Sequence, residues 1–278
     1  MSLDFLGQQL SLDFSSPQVM GILNVTPDSF SDGGKFTSID NALAQVEQMI
    51  ADGASLIDIG GESTRPGALA VETQEELTRV IPIVDAIKQR FDVVVSVDTS
   101  KAEVMTEAIN CGADLINDVR ALQEPNCLEV ISQSTVPVCL MHMQGQPRTM
   151  QENPQYDDVI CDISDFFSQR ITACLEKGIN KERIILDPGF GFGKTLQQNY
   201  QLLAHLEQFK QFNLAILSGT SRKSMLGNLL NRDVSERLSA SISTALIAAQ
   251  NGANIIRVHD VKETSDAIKI LTTVNTYQ

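Results

Sequence analysis

Residues 93–117 read VVVSVDTSKAEVMTEAINCGADLIN. A β-branched run, 93–97, ends in Asp98. Polar residues follow, with Ser100 and Glu103 at capping-box spacing, and the chain then reaches a second short apolar run, 115–117, ending in Asn117. Strand, helix start and strand within 25 residues is the signature of a parallel βαβ unit. The apolar runs are continuous rather than alternating, as in strands covered on both faces.

The same unit recurs on both sides of this stretch. The predicted strands are 19–23, 56–59, 93–97, 115–117, 136–141, 184–186, 214–217 and 255–258. Between them run helical faces: Ile39, Leu43, Val46 and Ile50; Leu77, Val80, Ile81 and Val84; and Val159, Ile163, Phe166, Phe167 and Cys174. A second capping box is expected at Thr73 and Glu76. Eight βα units in a chain of 278 residues predict an α/β fold, a closed (β/α)8 TIM barrel in a single domain spanning 1–278. A doubly wound open sheet is the architectural alternative. Residues 1–18 read as a leader strand or hairpin closing the barrel bottom.

Composition narrows the function. The formal net charge is -14, which disfavours nucleic acid and anionic membranes as partners. No secretory signal and no run long enough to span a bilayer is visible. The five cysteines lack metal-ligand spacing and suit reduced core thiols in the cytoplasm.

In a βα barrel, chemistry gathers where strands end. The first predicted strand runs into Asn24, the second carries Asp58, and the third runs into Asp98. The others reach Asn117, His142, Asp187, Ser218 with Gly219, and Arg257 with His259. Any one of these reads equally as a helix cap or turn residue. Their recurrence at one barrel end makes a site the better reading of the set. Residues 24–34, NVTPDSFSDGG, and 60–68, GGESTRPGA, are long loops of the kind that bind or cover ligands, although each alone is also a plain connector. Arg65, Lys223, Arg257 and His259 would form a local cationic pocket for an anionic substrate on an otherwise acidic protein.

Two patterns mislead. Residues 187–195, DPGFGFGKT, suggest a P-loop, but Pro188 stands where that motif needs glycine. Leu196 stands where a dinucleotide motif needs its third glycine. Such a loop can still hold an anion at a helix N-terminus. His142 and Met143 beside Met141 hint at a soft metal site, but no second histidine lies at ligand spacing, so a hydrogen-bonded histidine is expected.

The segments 20–34, 58–68, 96–101, 116–119, 187–194, 219–224 and 257–260 occur in an order that resembles the dihydropteroate synthases over nearly the whole chain. That resemblance implies joining of 4-aminobenzoate to a pterin-methyl diphosphate. It implies that Asp98, Asn117, Asp187 and Lys223 hydrogen-bond the pterin, with Met141 packed nearby. Arg257 would stack on the ring and face the diphosphate, with Thr64, Arg65 and His259. Thr64, Pro66, Phe192, Lys223 and Ser224 would form the 4-aminobenzoate pocket. Asn24 would be the single protein ligand of a magnesium ion. Asp98, Arg65, Lys223, Arg257 and His259 would carry catalysis through charge placement, in a largely dissociative substitution. Loops 24–37 and 61–71 would close over the pterin substrate. The last helices, including 234–249, would form a homodimer interface. Two rivals share parts of this pattern: a pterin-dependent methyltransferase of the corrinoid type and a catalytically silent pterin-binding module. Neither calls for the combination of Asn24, Arg65, Lys223 and the Arg257–His259 pair.

Overall fold

The structure is a computed structural model that describes residues 2–4, 11–25, 35–63, 67, 68, 70–145, 150 and 154–277. A two-stranded antiparallel hairpin, β1 (Ser2–Asp4) and β2 (Ser11–Asp13), precedes the main sheet. Eight parallel strands then close into a barrel. They are β3 (Gln18–Asn24), β4 (Leu56–Gly60), β5 (Val94–Asp98), β6 (Leu115–Asp118), β7 (Val138–Met141), β8 (Ile184–Asp187), β9 (Ala215–Ser218) and β10 (Ile255–Val258). Pairing runs in chain order, and β10 closes the ring on β3, with Ile255 opposite Gln18 and Val258 opposite Gly21. The open-sheet alternative is thereby excluded.

The helices are α1 (Lys35–Ala51), α2 (Thr73–Arg90), α3 (Ala102–Asn110), α4 (Cys127–Ser132), α5 (Val159–Glu176), α6 (Leu196–Ala204), α7 (Ser224–Leu230), α8 (Leu238–Gln250) and α9 (Val261–Asn275). Their apolar stripes cover the outward-facing strand residues. In α5, for example, Ile163, Phe167, Ile171 and Cys174 are buried on one face. The two expected capping boxes do not form. Thr73 already lies inside α2, whose cap is Glu72, and the cap of α3 is Lys101, neither with a side-chain capping bond. Their residues are used laterally instead: Glu76 pairs with Lys101, and the Ser100 hydroxyl donates to Asp118. A true box forms at α6, where Thr195 and Gln198 satisfy each other's backbone.

The period of two along each strand explains where the polar groups go. Leu56, Val94, Leu115, Cys139, Ile185, Leu217 and Ile255 point inward and pack as one buried cluster with Met20, Ala215, and Leu12 and Phe14 of the leader. Each fully buried aliphatic side chain contributes roughly 1.5–3 kcal/mol. Two residues further on, the same inward register falls on Asp58, Ser96, Asn117, Met141, Asp187 and Arg257, and four residues beyond Val94 it falls on Asp98. The barrel is apolar at its base and polar at its mouth because the residue type changes while the register does not.

Candidate active site

Asp58 lies at the centre of the polar layer and is fully buried. Its Oδ2 accepts from Arg257 Nε at 2.6 Å and from Asn117 Nδ2 at 3.2 Å, and its Oδ1 accepts from Ser96 Oγ. Arg257 then reaches Asp98 Oδ2 through its second nitrogen at 3.0 Å. One guanidinium thus bridges two carboxylates on different strands. Among the described residues Asn117 Oδ1 is buried without a hydrogen-bond partner, so this amide presents an unused acceptor at the mouth. A buried orphan acceptor is costly in isolation and suits a ligand that brings a donor.

Asp187 ends β8, and its Oδ1 accepts from the Gly189 amide at 2.8 Å. Lys223 precedes α7 and donates to the Phe190 carbonyl at 2.5 Å, with its ammonium 4.7 Å from the centre of the Phe192 ring. Lys223 and Arg257 both border Gly219: a methyl there would lie 3.8 Å from Lys223 Nζ and 3.8 Å from Arg257 Cβ. Phe192 and Met141 share a small apolar cluster with Val119 and Met150. Asn24, exposed at the end of β3, borders the mouth beside Gly60, where an added methyl would lie 4.0 Å from Asn24 Oδ1 and 3.9 Å from Asp98 Oδ2. His259 is held at Nδ1 by the Ser221 hydroxyl at 3.0 Å. Ser224 opens α7 with an exposed side chain. Thr64, Arg65 and Pro66 lie outside the described residues, as does most of the first loop.

Burial sets the electrostatics. It pushes the Asp98 carboxyl up to about 8, against the opposing pull of Arg257. It raises Asp187, opposed mainly by Lys223, and lowers Lys223 to about 8, opposed mainly by Asp187. Arg257 is held above its ordinary value by Asp58 and Asp98, which outweigh its desolvation. Among the described residues, the acids Asp58, Asp98 and Asp187 and the bases Lys223 and Arg257 therefore share one mouth.

Sequence reading placed Asp98, Asn117, Asp187 and Arg257 at strand ends and Lys223 in the loop after the seventh barrel strand, and the fold brings them together. It named Asp58 at a strand end but gave it no part. The signal was present: Asp58 stands two residues after inward Leu56. The glycine-rich 187–195 loop, read as a possible anion cradle, is built differently. Thr195 caps the helix that follows, and the loop's carbonyls turn in on Lys194. His142 is hydrogen-bonded, through Nδ1, to that lysine.

A family profile described as "pterin binding enzyme" matches residues 20–259. The dihydropteroate synthase of Escherichia coli is 58% identical over 95% of this chain and 94% of its own length, and that of Haemophilus influenzae is 59% identical over 93% and 94%. The chain belongs to the dihydropteroate synthase family. Solved members of the family superpose closely. A Yersinia pestis dihydropteroate synthase with a sulfonamide drug complex gives a TM-score of 0.94 at 58% identity, covering 99% of this chain and 100% of that one. The Xanthomonas albilineans enzyme with 4-aminobenzoic acid gives 0.92 at 46% identity, covering 99% and 98%. The chain is accordingly a transferase of the pterin-methyl group that acts in folate biosynthesis.

Proposed function

We propose that the mouth formed by Asp98, Asn117, Asp187, Lys223 and Arg257 binds (7,8-dihydropterin-6-yl)methyl diphosphate and directs 4-aminobenzoate onto its methylene carbon. The observation that carries the reading is Asn117 Oδ1, buried without a partner among the described residues, on an amide that donates to the buried Asp58 and lies opposite Asp98 in the strand register. A pterin edge offers an amino group, a ring N–H and a carbonyl. Asp98, Asp187 and Asn117 accept from the donors, and Lys223 donates to the carbonyl. Arg257, locked by Asp58, presents its plane to the ring and its charge to the diphosphate. His259 adds a donor there, and Thr64 and Arg65 complete that end by the family resemblance. Lys223, Phe192, Ser224, Thr64 and Pro66 take the 4-aminobenzoate.

In the reaction the C–O bond to diphosphate breaks, with the bonding pair leaving on oxygen. The aryl amine nitrogen forms the new C–N bond and gives up its proton to solvent. The positive charge that develops on the pterin faces Asp98. Ring N–H donors favour the ionised carboxylate, so substrate binding draws Asp98 down from its raised value and places a negative charge where it is needed. Arg257, His259 and Arg65 stabilise the leaving group.

Among the described residues, a magnesium ion fits the donor set through Asn24. One exposed neutral amide oxygen borders the mouth, and among the described residues no cluster of three His, Cys, Asp or Glu side chains forms a protein-only site. Such an ion would rest mainly on diphosphate oxygens and water, and when bound it would neutralise leaving-group charge.

The exposed apolar residues Leu229, Leu230, Val234, Leu238, Ile247, Ile270 and Val274 lie in or between α7, α8 and α9. They support a homodimer, which sedimentation at graded concentrations tests. Five free thiols support a cytoplasmic setting. Calorimetric titration with the pterin diphosphate tests the site itself. Asn117→Leu should weaken binding at least tenfold; binding within twofold of wild type would remove the central observation.

A further inference from the structure

Lys194 is 2% exposed, which is rare for a lysine. Its ammonium has three hydrogens and faces three good acceptors: the Gly189 carbonyl at 2.8 Å, the Phe192 carbonyl at 3.1 Å and His142 Nδ1 at 3.0 Å. The His142 carbonyl is a longer fourth contact at 3.4 Å. Burial lowers the His142 ring to about 2, so the imidazole is neutral and its Nδ1 accepts. Burial also lowers Lys194, and the nearby Asp187 opposes this. Desolvating an ammonium is expensive unless every donor is used, and a packed Met would fill the same space at lower cost. The arrangement therefore has a purpose beyond filling the core.

The segment it holds is the one that meets Lys223. Gly189 has φ +71°, and a Cβ there would lie 1.9 Å from the His142 carbonyl, so the backbone passes too close for any side chain. Gly191 is fixed by its amide donating to Asn199 Oδ1 at 2.6 Å, and Gly193 by its carbonyl accepting from Tyr156 OH at 2.8 Å. Between these fixed points stand the Phe190 carbonyl and the Phe192 ring, the two described contacts of the Lys223 ammonium. We infer that Lys194 is a positioning residue, holding the 189–193 backbone in the shape that aims Lys223 between the two substrates. It touches neither substrate. The inference rests on the assignment of Lys223 to both substrate pockets.

The test is a double-mutant cycle read in steady-state kinetics, with each substrate varied in turn. Lys194→Met in the wild-type background should raise KM for 4-aminobenzoate about tenfold. In the Lys223→Ala background the same change should alter it less than twofold, because the group being aimed is gone. A purely structural lysine would give its full effect in both backgrounds, and that outcome overturns the inference, as does a Lys194→Met enzyme with wild-type kinetics. If Lys194→Met fails to fold, the cycle is run with His142→Leu, which removes one acceptor, and His142→Gln, which restores one. Leu should raise KM about threefold, Gln should return it to within twofold of wild type, and Lys223→Ala should abolish the difference. Equal Leu and Gln effects overturn the inference. A Lys223→Ala single variant with unchanged kinetics would instead overturn the Lys223 assignment, which separates the two failures.

Discussion

Arg257 Nε donates to Asp58 Oδ2 at 2.6 Å, joining residues 199 positions apart in the chain, and this contact aims the guanidinium across the barrel mouth. Asp58 is enclosed by donors from Arg257, Asn117 and Ser96. It has no solvent to fall back on. Breaking a buried ion pair from one side costs about 3–5 kcal/mol, and the lower figure applies because Arg257 keeps Asp98. Asp58→Asn should therefore lower unfolding free energy in urea by about 3 kcal/mol and weaken pterin binding at least tenfold. Pterin affinity within twofold of wild type would show that Arg257 does not depend on this partner.

Pterin affinity should follow a bell-shaped pH profile. Binding needs Asp98 ionised, and its free value is raised to about 8, so affinity rises with pH up to that region and protons are released on binding below it. Binding also needs Lys223 charged, and its value is lowered to about 8, so affinity falls again above that region. Calorimetry in buffers of different ionisation enthalpy reads the proton count directly. Asp98→Asn should flatten the acid limb and Lys223→Met the alkaline limb. An acid limb unchanged in Asp98→Asn would assign the proton elsewhere.

Much of this geometry is legible in the chain. All eight barrel strands lie within one or two residues of the apolar runs, because strands buried on both faces leave no other reading of segments such as 93–97. Asp98, Asn117, Asp187 and Arg257 follow from their place at the strand ends. The role of Asp58 was hidden because its partner Arg257 lies on β10, which closure of the ring brings next to β3 and so within reach of β4 across the mouth. Lys194 was hidden for a different reason. Two of its three close acceptors are backbone carbonyls, which no side-chain pattern reveals, the third, His142, lies 52 residues away, and its glycine-rich setting mimics an anion cradle. The capping boxes failed because their side chains have charged partners elsewhere, Glu76 with Lys101 and Ser100 with Asp118.

Lys223 should not tolerate arginine. The lysine stem runs so close to Gly191 that a methyl there would sit 3.3 Å from Lys223 Cδ, and the ammonium is seated between the Phe190 carbonyl and the Phe192 ring. A planar fork is wider than a point charge. Lys223→Ala should raise KM for both substrates about tenfold and Lys223→Arg should not rescue either, whereas Ser224→Ala should act mainly on 4-aminobenzoate. Near wild-type kinetics in Lys223→Arg would contradict the shared contact.

Magnesium should bind the free protein weakly. Asn24 brings no charge, so affinity should depend on the diphosphate. Titration of magnesium alone should give little heat, and addition of inorganic diphosphate should strengthen binding at least tenfold in wild type but not in Asn24→Ala. Tight binding to the free protein would place the ion elsewhere.

The most direct test of the whole account is product formation by the purified protein, with dihydropteroate and diphosphate quantified in the same reaction. With both substrates and magnesium present, the two products should appear in equal amounts, and Asp98→Asn and Lys223→Ala should each slow both by at least tenfold. If 4-aminobenzoate is left unchanged, or if these two variants form dihydropteroate at the wild-type rate, the mouth of this barrel does not perform the condensation in the way described.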